Sequence, residues 1–588
     1  MARTGCKPVP HEKCSNSKAE SQGKPDRKSM RSILKHLVFC IVLLTELNLT
    51  FTNAAPKTPA PAGPAVVYPL TSAAQPGTSV DITWVGDTLG QPIGMWTSFP
   101  ATVTPLPAGD PKKRGQAKYR ITLDKDVPPG IGAVRLLTSA GVSNLRLFVV
   151  DDLPSSPQHS GNHSVEKAQV VSSGVAIDGA CEAVAADYYQ LHAIKGQRIS
   201  AEVVAQRMGS KMDPMIRLLN AGGHELVYYD DSPGAGSDCR FAYTFANEGD
   251  YIVEVRDVNY EGGAEYRYRL RIGDFPIVAS VFPPVAKSAT ETAFHLEGIG
   301  CEKLPPISLT MPAELSRTWL GPNFPSGQGS AFASALTSDL SDAAESGRND
   351  SREAADRIAV PGAVNGHFLK PESPHYFQFH ADKGQNLSIR GLAREIGSPA
   401  SVSLQILKSD GTKLAESKIT GPEDASVDAA IPTDGDYLIR ASELSGRGGP
   451  EMVYRVEIRP AQPGFSLGVE SEQLNAAAGE AVPLKVTAVR RDYTGPITLS
   501  LTGDAAGLEL SNATIPAGKN EIELKIKAPA EVIDPKMLRI GIVGQTEING
   551  VQVTEKVSTL PALKKLFSRI LSPPAEWDGM IVMGITPP

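Results

Sequence analysis

Four aspartates in the first half of the chain have the residue type and the spacing for metal-ion chemistry. They are Asp213, Asp230, Asp231 and Asp238, and glycine-rich segments lie beside them. Calcium is a hard cation that takes roughly six to eight oxygen ligands, many of them from carboxylates on flexible loops. The cluster therefore predicts a site for Ca²⁺, the one cofactor that the sequence suggests. The alternative interpretation is a solvated acidic rim that holds no ion.

One stretch has the pattern of a hydrolase nucleophile. The segment Gly464–Gly468 fits G-x-S-x-G. A nucleophile elbow needs a strand before the serine and a helix after it. Here a proline-containing linker comes before the motif and an alternating, strand-like pattern follows it. The sequence also contains no H-E-x-x-H zinc motif. We therefore expect no catalytic constellation and predict that the protein is not an enzyme.

The elements that must position these residues form an internal repeat. The segment Asn247–Ile272 aligns without a gap to Thr433–Ile458, 186 residues later. Each copy has a Gly-Asp turn, an alternating strand, a Gly-Gly turn and a second alternating strand, which predicts a β-hairpin. Upstream, Tyr188–Gln197 matches Tyr376–Gln385. Self-similarity over about eighty residues indicates a duplicated domain.

The repeat resembles the bacterial pre-peptidase C-terminal domain. The matching motifs are Asp187-Tyr188, Gly196-Gln197, Asp213-Pro214 and Gly249–Tyr251, and the second copy departs from them at Ser401-Val402. The resemblance implies a small, jelly-roll-like β-sandwich of secreted bacterial proteins. It also implies calcium binding and a role in adhesion or targeting. Because the second copy has serine in place of Asp213, we expect it to be depleted as a calcium site.

Two cysteines fall inside the first copy of the repeat. They are Cys181 and Cys239, and their counterparts in the second copy are Leu369 and Ala425. Two cysteines present in one copy alone are explained most simply by a bridge, which an exported chain permits. The sequence thus predicts a Cys181–Cys239 disulfide and leaves Cys301 as a free thiol.

The N-terminal region has the order of a secretory signal peptide. A basic stretch from Met30 to Lys35 precedes the apolar run Leu37–Leu44, and small residues lead up to Ala55. The apolar run is too short to cross a bilayer. We expect export to the periplasm, the cell surface or the extracellular space, with Met1–Ala54 removed and no integral membrane domain left. An uncleaved N-terminal anchor is the alternative.

The rest of the chain predicts an all-β protein of tandem β-sandwich domains, joined by short linkers. Short strands between regularly spaced turns resemble immunoglobulin-like (Ig-like) domains. Ser326–Arg357 has the composition of a poorly ordered linker, and Leu563–Leu571 is an amphipathic patch that predicts a docked helix or a frayed tail. A contact of that patch with an anionic membrane surface is a further alternative.

The predicted division of the chain into domains is 1–55, N-terminal extension and signal peptide; 56–64, Pro/Ala linker; 65–152, Ig-like sandwich; 153–274, first repeat; 275–345, Ig-like segment and linker; 346–460, second repeat; 461–560, Ig-like sandwich; and 561–588, C-terminal tail.

Composition narrows the class of partner. The formal net charge is −7 over 588 residues, which does not favour nucleic acid. The sequence predicts an exported, non-catalytic binding, adhesion or targeting protein whose partner is an extracellular protein or polysaccharide. One alternative is a secreted peptidase, or the separate non-catalytic part of one. The other alternative is a structural spacer on the cell surface.

Overall fold

The computed structural model describes residues 63–107, 115–418, 424–570 and 575–588. Its regular structure is almost entirely β, arranged as five successive β-sandwich domains, D1 to D5, so the predicted fold class is confirmed. The predicted signal peptide lies outside the described residues. Among the described residues, no helix has the length and the apolar character needed to cross a membrane.

Domain D1 is a sandwich of a four-stranded sheet, ordered β1-β3-β6-β5, and a five-stranded sheet, ordered β2-β9-β7-β4 with β8 also paired to β7. Alternating residues of β3 and β6 point inward, so that Trp84, Tyr119 and Phe148 form the centre of the core. The strands are β1 (Ala65–Pro69), β2 (Ala73–Ala74), β3 (Ser79–Asp87), β4 (Pro92–Thr97), β5 (Ala101–Leu106), β6 (Gln116–Leu123), β7 (Gly130–Thr138), β8 (Gly141–Val142) and β9 (Arg146–Val150).

Domain D2 is the first repeat and contains two five-stranded sheets, ordered β10-β12-β19-β14-β17 and β11-β13-β18-β15-β16. Its core lies between the two sheets. The strands are β10 (Ser155–Pro157), β11 (Gln169–Val170), β12 (Val175–Ala180), β13 (Asp187–Ala193), β14 (Arg198–Val204), β15 (Pro214–Asn220), β16 (Glu225–Tyr229), β17 (Cys239–Thr244), β18 (Gly249–Asp257) and β19 (Arg267–Gly273).

Domain D4 is the second repeat and has the same topology, with sheet orders β26-β28-β35-β30-β33 and β27-β29-β34-β31-β32. The shared order of ten strands shows that the self-similar sequences fold alike. The strands are β26 (Asp342–Ala343), β27 (Asp356–Arg357), β28 (Gly362–His367), β29 (His375–Ala381), β30 (Asn386–Leu392), β31 (Val402–Lys408), β32 (Lys413–Glu416), β33 (Ala425–Ala430), β34 (Gly435–Glu443) and β35 (Val453–Pro460).

One cross-strand pair has opposite polarity in the two repeats. In D2, Glu202 of β14 lies opposite Arg271 of β19, and the guanidinium Nη1 donates to Glu202 Oε2 at 2.6 Å. At the equivalent place in D4, Arg390 of β30 lies opposite Glu457 of β35. The position therefore holds opposite charges in both copies, but the acid and the base have exchanged strands.

Domain D3 lies between the repeats and contains two three-stranded sheets, ordered β20-β22-β23 and β21-β25-β24. The prediction of a poorly ordered linker at Ser326–Arg357 is wrong. This segment supplies β25 to D3 and β26 and β27 to D4, and Ala335 of β25 is buried in the D3 core. The strands are β20 (Ile277–Phe282), β21 (Val285–Lys287), β22 (Glu291–Ile299), β23 (Ile307–Thr310), β24 (Arg317–Trp319) and β25 (Ser334–Ser338).

Domain D5 differs from the prediction at its C-terminal end, because 561–588 is not a separate tail. Strand β45 pairs with β37 and β43 inside the domain, and helix α1 (Leu560–Leu566) packs Leu563 among apolar residues of D1. The strands are β36 (Gly464–Val469), β37 (Gln473–Ala477), β38 (Ala481–Arg491), β39 (Ile497–Gly503), β40 (Glu509–Ser511), β41 (Thr514–Ile515), β42 (Glu521–Lys527), β43 (Lys536–Ile548), β44 (Val551–Ser558) and β45 (Ile581–Thr586).

Buried charge joins the domains. Asp151, between D1 and D2, accepts hydrogen bonds from Arg269 at 2.7 Å and from Arg271 at 3.0 and 3.1 Å. All three side chains are fully buried. A second buried pair links Arg135 of D1 to Glu472 of D5. The five domains therefore pack together as one compact unit and are not independent modules joined by flexible linkers.

Candidate binding face

The structure assigns Asp238 a different role from the predicted one. Its carboxylate accepts hydrogen bonds from the backbone N–H groups of Ala205, Gln206 and Arg207 and from Arg207 Nε, at 2.7 to 3.3 Å. The equivalent Asp424 caps the matching turn in D4 in the same way, although D4 lacks Asp213. Asp238 therefore holds a turn in place, and its oxygens are not available to a calcium ion.

The other three predicted ligands lie near one another on D2. Burial raises the pKa of Asp213, and the charges of Asp231, Asp257 and Asp230 raise it further. Asp257 is itself occupied, because it accepts hydrogen bonds from three backbone N–H groups of its own loop and of Asp213. No group of three or more His, Cys, Asp or Glu side chains within the described ranges is arranged to hold a metal ion. Asp238 therefore drops out of the predicted ligand set, and calcium binding by Asp213, Asp230 and Asp231 stays a prediction.

The predicted Cys181–Cys239 disulfide is wrong, because both residues are buried free thiols. Cys239 begins β17 and Cys181 directly follows β12, and two strands of the same sheet lie between them. Three strand spacings amount to about 14 Å. A disulfide needs Cα atoms within about 7 Å. The structural counterpart of Cys181 is Phe368, because each donates its backbone N–H to the equivalent strand, to Tyr266 and Met452 respectively.

A thiol count tests this correction. A chain of residues 56–588, unfolded without reductant, is expected to react with three equivalents of a thiol reagent, from Cys181, Cys239 and Cys301. The native protein is expected to react slowly at neutral pH, since burial raises the pKa of Cys181 to about 11 and that of Cys301 to about 12. Cys301→Ser is the control and should remove one equivalent. A count of one in the unfolded parent chain would restore the disulfide.

A different group of residues forms the most distinctive surface of D2. Four side chains lie in one register row on the outer face of its second sheet, one from each of four adjacent strands. Tyr188 of β13 lies opposite Glu254 of β18, which lies opposite Arg217 of β15, which lies opposite Tyr228 of β16. Their neighbours in sequence include the core residues Tyr189, Ile216, Leu218, Val253 and Val255, as the two-residue period of a strand requires. We call this row, together with Arg256 and Tyr260 beside it, the tyrosine face.

Glu254 fixes the centre of the tyrosine face. Its side chain is only 2 % exposed and contacts two guanidinium groups, Arg217 through Nε at 3.2 Å and Arg256 through Nε at 3.7 Å. Burial raises the pKa of Tyr188, and the neighbouring charge of Glu254 raises it further. The outermost ring, Tyr228, donates from its hydroxyl to Asp230 at 3.1 Å. The buried Glu254 carboxylate therefore holds the two guanidinium groups at the centre of the face, and Asp230 holds the hydroxyl of Tyr228.

Tyr260 extends the tyrosine face at a cost to the fold. The Arg256 guanidinium carbon lies 4.1 Å from the centre of the Tyr260 ring, within the range of a cation–π contact. Tyr260 has φ 57°, a left-handed conformation that costs a residue with a side chain about 1–2 kcal/mol. In D4 the equivalent residue is Gly446, with φ 68°, which adopts this conformation without that cost. D2 thus places a large, 47 % exposed ring where the fold favours glycine.

The same face of D4 lacks this chemistry. Its register row is Tyr376, Arg440, Gln405 and Glu416, so a single tyrosine remains. Arg440 donates to Gln405 at 3.3 Å, and no carboxylate occupies the central position. Because the two backbones share one topology, D4 is an internal control for the side chains of D2.

The structure also contains a cavity of about 670 Å³ where D2, D3, D4 and the C-terminal segment meet. The charged groups that line it are already paired, and one of them, Arg317, links D3 to the C-terminal segment. Arg317 contacts the Glu576 carboxylate at 3.3 Å and donates to Ser334 Oγ at 2.9 Å, and Arg207 pairs with Glu202 at 2.8 Å. The cavity is therefore a gap at the interface between domains, and the tyrosine face is the stronger candidate for a binding site.

The tyrosine face was not predicted from the sequence, although one signal for it was present. The gapless alignment of the two hairpins sets Tyr260 against Gly446. Glycine at one copy of an aligned turn indicates a left-handed position, so a tyrosine in the other copy is unexpected there. The row itself depends on the register between β13, β18, β15 and β16, which the sequence does not specify.

No protein-family model and no curated protein matches the chain. Similar solved structures include the pre-peptidase C-terminal domain of a collagenase from Bacillus anthracis, with 16% identity, a TM-score of 0.15, and coverage of 18% of this chain and 93% of that chain. Domains 4 and 5 of the S-layer protein SbsC match with 17% identity, a TM-score of 0.13, and coverage of 27% and 76%. The N-terminal four Ig domains of Dscam1 isoform 4.44 match with 8% identity, a TM-score of 0.15, and coverage of 84% and 99%. At such TM-scores none of these similarities supports an inference about function.

Proposed function

We propose that the protein is an exported, non-catalytic binding protein that acts at the cell surface or in the extracellular space. The observation that supports this most strongly is the tyrosine face of D2. Tyrosine and arginine are enriched at binding surfaces. Tyrosine provides a large contact area with little loss of conformational freedom, and arginine provides a planar group with several hydrogen-bond donors. D4 has the same fold without these side chains, so the fold alone does not account for them. The signal-peptide pattern at Met30–Ala55 supports export.

The rival proposal is a peptidase, and the G-x-S-x-G motif is its sequence basis. In the structure Gly464–Val469 is strand β36, and Ser466 lies exposed on it between β38 and β44. A nucleophile elbow requires a sharp turn between a strand and a helix. This geometry favours an ordinary interior strand of the D5 sheet over a catalytic serine.

Two assays on a chain of residues 56–588 separate these proposals. We expect no cleavage of casein, and we expect retention of the chain on at least one component of an array of matrix proteins and polysaccharides. Retention should fall in Tyr228→Ser, which removes an exposed ring without disturbing the core. Casein cleavage that is abolished by Ser466→Ala would establish a peptidase. Retention on no component would favour the structural spacer.

Calcium binding is a secondary proposal, restricted to Asp213, Asp230 and Asp231. Burial raises the pKa of Asp213, and the charges of Asp231 and Asp230 raise it further. A divalent cation would relieve the repulsion between these carboxylates and stabilise the folded chain by mass action. We expect a Tm about 2–4 °C higher in millimolar Ca²⁺ than in chelator, and no difference in Asp213→Asn. Ser401→Ala, at the equivalent position of D4, is the control and should keep the shift. A shift that persists in Asp213→Asn would locate the ion elsewhere.

A further inference from the structure

We infer that the tyrosine face of D2 binds a neutral polysaccharide, with Tyr228 and Tyr260 as its exposed stacking surfaces. This inference rests on the proposed function and names the class of ligand for the same site. It commits to a chain of uncharged sugar rings. A protein ligand is a separate possibility that the experiment distinguishes.

The arrangement of flat and polar groups matches the chemistry of a sugar chain. A sugar ring has an apolar C–H surface that packs against an aromatic ring, and hydroxyl groups at its edge that both donate and accept hydrogen bonds. Tyr188 and Tyr228 lie three strands apart, a separation of about 14 Å. Between them lies the partly exposed guanidinium of Arg217, a hydrogen-bond donor that the buried carboxylate of Glu254 holds in place. A chain laid across the strands would meet a ring, then polar groups, then a second ring.

The charge of the tyrosine face favours one class of polysaccharide, neutral or acidic, over the other. Two guanidinium groups, Arg217 and Arg256, are matched by three carboxylates within or beside the face, Glu225, Glu254 and Asp230. Glu254 is already paired with both arginines, so neither guanidinium faces solvent as an uncompensated cation. Acidic polymers require such a cation. The near balance of charge therefore favours an uncharged polysaccharide over an acidic one.

Tyr260 has a backbone conformation that lowers the stability of the fold, and binding of a ligand would explain why a tyrosine lies there. Its ring is 47 % exposed and stacks on Arg256, and it occupies the left-handed position that D4 fills with glycine. A ring maintained in a conformation that disfavours it contributes something other than folding. Stacking on a ligand supplies that contribution, because a fixed and exposed ring loses little freedom on binding.

The test uses the chain of residues 56–588 and measures its retention on insoluble cellulose, chitin, xylan and mannan, with immobilised heparin as the acidic polymer. We expect retention on at least one neutral polysaccharide and a loss of at least tenfold in both Tyr260→Gly and Tyr228→Ser. Tyr260→Gly should also raise Tm by about 1–2 °C, because it relieves the backbone at that position. Lower affinity together with higher stability is a result that a purely structural role for Tyr260 would not give. Tyr376→Ala on D4 is the matched control and should retain full binding.

Other outcomes overturn the inference. Retention that is unchanged in both D2 variants would place the polysaccharide elsewhere on the molecule. Tighter retention on heparin than on any neutral polysaccharide would contradict the charge argument. If no neutral polysaccharide retains the chain but a matrix protein does, and the same two variants abolish that binding, the ligand class is wrong and the proposed function stands. If the parent chain binds nothing, both proposals fail.

Discussion

Asp151→Ala is expected to cost about 3–5 kcal/mol of unfolding free energy, among the largest effects of any single substitution in the described residues. Asp151 is the shared partner of Arg269 and Arg271, and none of the three side chains is exposed. Without the carboxylate, two guanidinium groups remain close together in a buried site with fewer partners. Chemical denaturation followed by tryptophan fluorescence measures the loss.

The same residue predicts a dependence on pH. Burial alone would raise the pKa of Asp151, but Arg271 and Arg269 lower it to about 2. An unfolded aspartate has a pKa of about 3.9. A carboxyl group with a lowered folded-state pKa stabilises the protein above its unfolded pKa, and this contribution is lost as pH falls from about 4 to about 2. We expect the parent chain to lose this stability in acid and Asp151→Ala to show a shallower loss in the same range.

Asp339→Asn is the control for Asp151→Ala. Asp339 pairs with Arg459 on D4, and both side chains are largely exposed, so the substitution should cost less than about 1 kcal/mol. Equal costs for the two substitutions would mean that the buried cluster contributes no more than a surface pair. That result would contradict its role in joining D1 and D2.

Glu472→Ala is expected to cost about 3 kcal/mol and to separate the unfolding of D5 from that of D1. Glu472 is the buried partner of Arg135, and it also accepts a hydrogen bond from the backbone N–H of Leu145 at 3.4 Å. Beside it, Asn475 accepts from the backbone N–H of Val142 at 2.8 Å and donates to its carbonyl at 3.1 Å. Calorimetry should show the main transition of the parent chain dividing into two.

Glu470→Ala is the matched control, because Glu470 lies two residues away and is exposed. It should leave the transition unchanged. Glu472→Leu together with Arg135→Met should recover part of the loss, since a buried ion pair can be replaced by apolar residues of similar size. If Glu472→Ala leaves a single transition at the parent temperature, the contact between D1 and D5 is not what couples the two domains.

The fold class could be predicted because it depends on local pattern. The period-two alternation of a strand such as Glu521–Lys527 and the glycine turns of the repeated hairpin are both present in the sequence. The prediction of a linker at Ser326–Arg357 was wrong for the opposite reason. Its strands are short and rich in small polar residues, and they are ordered by neighbouring domains. The composition of a segment does not show which residues pack against it, so it could not predict that this segment is ordered.

The predicted sites depended on distances across a sheet, which the sequence does not contain. Cys181 and Cys239 share one core, but their strands are not adjacent. Asp238 was counted as a ligand by residue type, whereas its oxygens are used by the backbone of a neighbouring turn. The tyrosine face requires the register of four strands at once. The sequence therefore identified D2 as the distinctive repeat but not the residues that make it so.

The exchanged polarity of the Glu202–Arg271 position bears on how two such similar domains avoid misassembly during folding. Repeats that share one topology can trap each other by exchanging equivalent strands. If β30 took the place of β14 beside β19, Arg390 would lie opposite Arg271. In the reciprocal product, Glu202 would lie opposite Glu457. Like charges directly opposite each other destabilise a strand pair. The reversal therefore favours pairing between strands of the same repeat. A sandwich assembled from strands of both copies would be destabilised by like charges at the centre of its sheet.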